Sequence, residues 1–215
     1  MEKLNFSCKL GVLSRPDGSA MFCEGDLKIS SFLGETIVIA GLYGPVEVKM
    51  QKVLIDKASV ECSYRPKSGL PGVEDRLYES LIRNICETSL MAALYPRSAV
   101  LITLQEMHNN GQLISCAINA ACLACLDSGI DMKFMFGSVT CFLTKQEELC
   151  LKPPINEKDI KAFFVFVFDN TKGRILASHT KGSFSKEQYE EALHLSREES
   201  KNVFIFFKKS MHTND

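Results

Sequence analysis

Ser115 to Leu126 reads SCAINAACLACL, a run in which Asn119 is the sole strongly polar side chain after the opening serine. A helix of this composition has no face suited to water, so it must be covered on most sides. The flanking sequence supplies the cover mainly as strands. Upstream, Phe6 to Leu13 and Ala20 to Phe32 flank Arg15-Pro16-Asp17-Gly18, where proline presets one backbone angle and glycine accepts the next, so a turn is expected. Glu35 to Tyr43 (ETIVIAGLY) is rich in β-branched residues and stops at Gly44-Pro45. Lys57 to Tyr64 alternates Ala58, Val60, Cys62 and Tyr64 with polar neighbours, the period of a half-buried strand. These segments are expected to form an antiparallel meander.

Leu77, Leu81, Ile85, Ser89 and Ala92 recur at three to four residues, so an amphipathic helix is expected from about Glu74 to Leu94, stopped near Pro96. Ala99 to Met107 reads as a strand ending in the turn signal His108-Asn109-Asn110-Gly111. Beyond the apolar helix, strands are expected at Phe136 to Leu143, Leu149 to Leu151, Ala162 to Phe168 and Arg174 to His179. The unbroken apolar run Phe163 to Phe168 suits a strand covered on both faces. Ser185-Lys186-Glu187-Gln188 is a capping-box pattern opening a last helix to about Lys201, with a continuation through Phe207. No repeat, low-complexity tract or long linker divides the chain, so residues 1–215 read as one α+β domain of mixed and antiparallel sheets packed with three main helices.

The 215 residues carry 25 basic and 26 acidic side chains, a balance that argues against nucleic-acid binding through overall basicity but leaves room for a local patch. The longest apolar runs, such as Ala162 to Phe168, fall far short of the roughly 20 residues of a membrane span. The opening Met-Glu-Lys-Leu-Asn has no signal-peptide character, so an intracellular protein with reduced cysteines is expected.

Nucleotide-loop, zinc-protease and serine-hydrolase motifs are absent. Cys122-Leu123-Ala124-Cys125 is a CxxC, but it lies inside the apolar helix with no second pair, which favours two core residues over a redox or zinc site. His108, His179, His194 and His212 are scattered without ligand spacing and read as surface or turn residues. No metal or cofactor is expected. Asp159 stands before the buried strand, where a carboxylate could reach a cleft, although a solvated loop charge is the commoner outcome. Arg65 and Lys67 lie in a Gly/Pro loop, and Arg76 and Arg83, seven apart, share a helix face. They are candidates for gripping phosphates, diluted by Glu74, Asp75 and Glu79.

Four stretches resemble the RNase PH family and, within it, the ring subunits of the RNA exosome: Leu13-Ser-Arg-Pro-Asp-Gly-Ser-Ala20, Tyr43-Gly-Pro-Val-Glu-Val-Lys49, Arg65-Pro-Lys-Ser-Gly-Leu-Pro-Gly72 and Ile118-Asn-Ala-Ala121. The resemblance runs over nearly the whole chain. It implies an RNase PH fold, one domain per chain, in a six-membered ring of related subunits that pair as dimers.

Active members of the family hold phosphate with a Gly-Gly-Thr-Arg-Thr-like segment at the start of the buried helix. The matching stretch here is Gly111-Gln112-Leu113-Ile114-Ser115, with Leu113 and Ile114 in place of threonine and arginine. Each charge-assisted bond so lost is worth about 1.5–3 kcal/mol. Of the family's two catalytic aspartates, Asp159 falls on the second and Pro153 on the first, with Glu157 as a substitute acid. The substrate-side arginine region reads Glu74-Asp75-Arg76, and Ser19 replaces the second arginine of the N-terminal motif.

The resemblance therefore implies a ring subunit without phosphorolytic chemistry that supports assembly and guides single-stranded RNA in 3′-to-5′ processing, in nucleus, nucleolus and cytoplasm. Its implied partners are the other ring subunits, the cap subunits and RNA. Two further readings stay open: a metal-dependent hydrolytic nuclease using Asp159, and a homodimer assisting a partner nuclease in DNA breakdown during cell death.

Overall fold

Every residue from Ile114 to Cys125 is buried, and the molecule is arranged around them. The computed structural model describes residues 4–25, 35–48, 50–153 and 159–213. The strands are β1 (Phe6–Leu10), β2 (Gly18–Gly25), β3 (Glu35–Glu47), β4 (Ser59–Arg65), β5 (Ser98–His108), β6 (Phe136–Thr144), β7 (Leu149–Cys150), β8 (Ile160–Asp169) and β9 (Ile175–Gly182). The helices are α1 (Val73–Ser89), α2 (Leu113–Asp127) and α3 (Lys186–Thr213). The first sheet has the order β1-β2-β3-β5-β4 and the second β7-β6-β8-β9. One apolar cluster joins the two, with α2 in its middle.

Small residues let α2 approach the first sheet closely. A Cβ on Gly18 would overlap the Ser128 amide and the Ala124 carbonyl, so glycine is required where β2 starts under the end of α2. The Ser19 amide then donates to Asp127 at 2.8 Å, while Asp17 accepts from the Gly44 amide at 2.8 Å. The Arg-Pro-Asp-Gly-Ser segment is thus a structural clamp on both helix and sheet.

Asn119 ties α2 to the second sheet. Its carboxamide donates to the Ser138 carbonyl at 3.0 Å and accepts from the Ser138 amide at 2.8 Å. This is the pair of bonds a neighbouring strand would give, supplied where β7, which pairs with Phe142 and Leu143, does not reach.

β1 to β3 form the expected meander, but β4 does not extend it. β5 inserts between β3 and β4 and runs parallel to β4. Parallel neighbours need a crossover, and α1 provides it. Alternation along Ala58 to Tyr64 reports burial on one face and is silent about which strand lies alongside. The expected strand from Ala20 ends at Gly25 among the described residues, and its remainder from residue 26 lies outside them. Helix α1 ends at Ser89, not near Leu94, because Leu90 turns extended to bridge Met132 and the Ala92 carbonyl accepts the Ala58 amide at 2.8 Å.

β8 is covered on both faces as expected, with Phe164 and Phe166 against Tyr189 of α3. The capping box at the head of α3 forms in both directions, at 3.2 Å from the Gln188 amide to Ser185 Oγ and 3.0 Å from the Ser185 amide to Gln188 Oε1. The helix runs on to Thr213 because Phe206 and Phe207 join Phe6 and Phe22 in an aromatic cluster over the first sheet.

Asn119→Leu is expected to destabilise the chain by about 2–5 kcal/mol in urea unfolding, since it strands a buried N–H and C=O. A loss under about 1 kcal/mol would show that Ser138 finds other partners.

Candidate functional site

The turn from β5 into α2 is set by backbone demands. Gly111 has a φ of +97°, a left-handed conformation that favours glycine, and its amide donates to Asn109 Oδ1 at 2.9 Å. Gln112 follows at the N-cap, but its side chain turns away and donates to the Leu151 carbonyl at 2.8 Å. Leu113 and Ile114 present hydrocarbon. Ser115 is fully buried, and its hydroxyl donates to Glu24 Oε2 at 2.9 Å, with the Gln112 carbonyl as an alternative acceptor at 3.2 Å. The side chains of Gln112 to Ser115 therefore offer no cationic group.

In front of this helix end lies a cavity of about 160 Å³, walled by Leu113 and Ile114 of α2, Tyr78 of α1, and Phe163 and Val165 of β8. Thr140 of β6 also lines it, and its buried hydroxyl has no hydrogen-bond partner. His179 of β9 packs against both Tyr78 and Phe163, with ring centroids 6.4 and 5.9 Å apart. It is a half-buried strand residue, which corrects the surface or turn position expected from sequence; its spacing carried no sign of a partner, because the rings it meets come from α1 and β8. Burial, helped by the Lys181 ammonium, pushes its pKa below the usual value. Lys181, at the rim, is paired with Glu74 at 2.9 Å, which draws α1 to β9 and lowers the Glu74 carboxyl.

Arg65 ends β4 opposite Gln105, at the same end of the sheet as the Asn109 turn. Lys67 lies in the following loop, whose Pro66 carbonyl accepts from Gln105 Nε2 at 3.2 Å. Arg76 is in the first turn of α1, and Arg83 is roughly 10 Å farther along that helix, beside Cys62. All four are exposed. The carboxylates that interleave with them are engaged elsewhere: Glu74 with Lys181, Asp75 with the Gly72 amide at 2.7 Å, and Glu79 with the Tyr64 amide at 2.8 Å. Among the described residues no carboxylate lies within ion-pairing distance of Arg65, Lys67, Arg76 or Arg83. Arg65, Lys67 and Arg76 thus fall at the end of β4, in the loop after it and at the start of α1, and Arg83 lies about two turns farther along that helix.

A helix N-terminus packed between two sheets, with this turn before it, is the arrangement found in known proteins of one family. The model of the 3′ exoribonuclease (RNase PH) family, domain 1, matches residues 3–131. The chain belongs to the RNase PH family. The Exosome complex exonuclease RRP46 homolog of Arabidopsis thaliana is 30% identical over 222 residues, covering 95% of this chain and 89% of that protein. The crystal structure of rice (Oryza sativa) Rrp46 superposes with a TM-score of 0.87 at 28% identity, over 97% of this chain and 94% of that one. An archaeal exosome core shares the fold, with a TM-score of 0.76 at 14% identity, over 95% and 86% of the two chains.

Asp159, on the second aspartate position of the RNase PH pattern, is exposed one residue ahead of β8. Its carbonyl accepts from the Lys145 amide at 2.9 Å, and its side chain does not line the cavity that Phe163, four residues on, helps to close. Pro153 lies against Gly111, 3.5 Å from where a Cβ would be, and Glu157 falls outside the described residues. Cys122 and Cys125 are core residues with free thiols, and Cys125 lies beside the free thiol of Cys86 of α1 and helps to raise its pKa.

Glu24, beneath Ser115, was not singled out by sequence; a glutamate on the apolar face of β2 was the available signal. It is fully buried, and its Oε1 and that of neighbouring Glu199 lack partners. Burial pushes the Glu24 carboxyl up to about 8 from an ordinary 4.5, outweighing the Ser115 hydrogen bond. With the folded value above the unfolded one, its contribution to stability is full below about pH 4.5 and lost as pH rises through about 8. Glu24→Gln, neutral throughout, should therefore gain on the parent as pH rises, by on the order of a few kcal/mol at pH 9. Urea unfolding at pH 5 and 9 checks this; a gap that does not grow with pH would contradict it.

Proposed function

We propose that this chain is an RRP46-type subunit of the RNA exosome ring, kept for assembly and for guiding single-stranded RNA, and that it performs no phosphorolysis. One observation carries the reading: the α2 N-terminus is intact in its RNase PH setting, while its side chains are the hydrocarbons of Leu113 and Ile114 and the internally bonded Gln112 and Ser115. Backbone N–H groups at a helix start favour an anion. Without a guanidinium, the apolar wall makes stripping water from a doubly charged phosphate too costly for those amides to offset.

The similarity along nearly the full length of rice Rrp46 supports a place among ring subunits of the same fold, with cap subunits as further neighbours. It also supports work in RNA processing, and the proposal extends this to 3′-to-5′ processing in nucleus, nucleolus and cytoplasm. Arg65, Lys67 and Arg76 form the proposed phosphate track beside the cavity, with Arg83 as its extension along α1. Contacts of this kind read the backbone and leave sequence unread. A hydrolytic nuclease built on Asp159 has no observation in its favour, since that carboxylate does not line the cavity and belongs to no metal-binding cluster among the described residues. Nothing in the geometry favours a role in DNA breakdown.

Each lysine or arginine that neutralises a phosphate of a single strand adds about 0.7 to the slope of log affinity against log salt. Arg65→Ala with Lys67→Ala should weaken binding of single-stranded RNA and flatten that slope by about 1.4, measured by fluorescence anisotropy across salt. An unchanged affinity and slope in both the purified chain and the assembled ring would sink the proposed track.

A further inference from the structure

Two carboxyl groups are buried where α3 lies on the first sheet. Ser196, Glu199, Ser200, Val203 and Phe207 recur at three to four residues and form the buried stripe of this part of α3. Phe207 meets Phe22 of β2 at 6.2 Å, and Phe206 meets Phe6 of β1 at 5.6 Å. Glu24 follows Phe22 on the same face of β2, and Glu199 stands roughly two turns before Phe207, so the two glutamates meet in one interface.

Each carboxyl has one oxygen bonded and one bare. Glu24 Oε2 accepts from Ser115 Oγ at 2.9 Å and Glu199 Oε2 from Asn202 Nδ2 at 3.0 Å, while Oε1 of each is buried without a partner. The surroundings of Glu24 supply no positive charge. Phe6 of β1 and Thr36 of β3 lie opposite it, Ser115 and Cys116 come from α2, and Glu199 comes from α3. On α3 itself, Arg197 lies over Phe168 and Lys201 is exposed, and Lys152 lines a pocket beyond Gly25. Among the described residues no lysine or arginine is within ion-pairing distance of either glutamate. A buried carboxylate without a cation is far costlier than one in water, so the docked helix favours the protonated acid.

We propose that Glu24 and Glu199 form a proton-operated latch: α3 stays docked on the first sheet while Glu24 holds its proton, and the helix from Glu199 to Thr213 lifts off Phe6 and Phe22 when that proton leaves. Lifting brings both carboxyls to water, where the charged form is no longer penalised. In the docked form the Glu24 carboxyl is raised to about 8 from an ordinary 4.5, by burial first and by Glu199 in addition. The docked state thus holds a proton that the lifted state releases. Docking is strongest below about pH 4.5, and the lifted share rises about tenfold per pH unit until it levels near pH 8.

Glu24 also ionises on complete unfolding, so the latch is recognised by where protection is lost. The test is amide hydrogen exchange of the full chain from about pH 5.5 to 9, corrected for the intrinsic pH dependence of exchange. Protection over residues 200–213 should fall about tenfold per pH unit and level near pH 8. At each pH these amides should exchange at least about tenfold faster than those of Ile114 to Cys125, because lifting leaves α2 in place. Glu24→Gln, of the same shape and neutral throughout, should hold α3 at one level of protection across the range. Glu199→Gln, which removes the second charge, should make the loss end at a lower pH. The proposal is overturned if protection of α3 does not change with pH, or if α3 and α2 exchange at one common rate, which would mean complete unfolding alone. It is equally overturned if Glu24→Gln follows the parent or if Glu199→Gln leaves the end of the loss where it was.

Discussion

The carboxamide of Asn119 is the joint on which the two sheets depend. A helix with hydrocarbon on every side can be buried between sheets, but hydrocarbon alone does not fix where along each sheet it sits. Asn119 sets that position on the second sheet by completing the hydrogen bonds of Ser138, and Gly18 sets it on the first by letting β2 pass directly beneath the end of α2. Both devices are specific to one register. Once α2 is held, its N-terminus falls between α1, β6 and β8, and the cavity there follows from the packing.

That dependence explains how a family's fold persists while its chemistry changes. The segments that mark the RNase PH resemblance, Arg15 to Ser19 and Ile118 to Ala121, are engaged in holding α2 through Gly18, Ser19 and Asn119, and in tying the turn to β3 through Asp17. The residues that differ, Leu113 and Ile114, line the cavity and make none of those hydrogen bonds. On the proposed reading, exchanging a threonine and an arginine for hydrocarbon there would remove the charged hold on an anion and leave the clamp undisturbed. Arg65, Lys67, Arg76 and Arg83 do not line the cavity, whose lining lysine, Lys181, is paired with Glu74, and the other acidic neighbours are occupied with the Gly72 and Tyr64 amides.

Much of this was legible in the sequence because the signals were local. The all-round apolarity of Ser115 to Leu126, the capping box at Ser185 and the double-faced strand at Phe163 each describe a neighbourhood that a few residues determine. What the sequence left hidden is long-range. Nothing in the alternation of Ala58 to Tyr64 states that β5 will slip between β3 and β4. The continuation of α3 to Phe207 depends on meeting Phe6 and Phe22, at the other end of the chain, at ring distances of 5.6 to 6.2 Å. The site behaves likewise. The departure from the family's phosphate-binding pattern could be read from Leu113 and Ile114, whereas the wall formed by Tyr78, Thr140 and Phe163 draws on three separate elements, with His179 of a fourth packed behind two of them.

The claim that the fold is kept and phosphorolysis is lost is tested most directly by incubating the purified chain with end-labelled single-stranded RNA, with and without inorganic phosphate. The account predicts RNA of unchanged length in both conditions, since no side chain at the α2 N-terminus can seat the attacking anion. Phosphate-dependent shortening from the 3′ end, with release of nucleoside diphosphates, would contradict it.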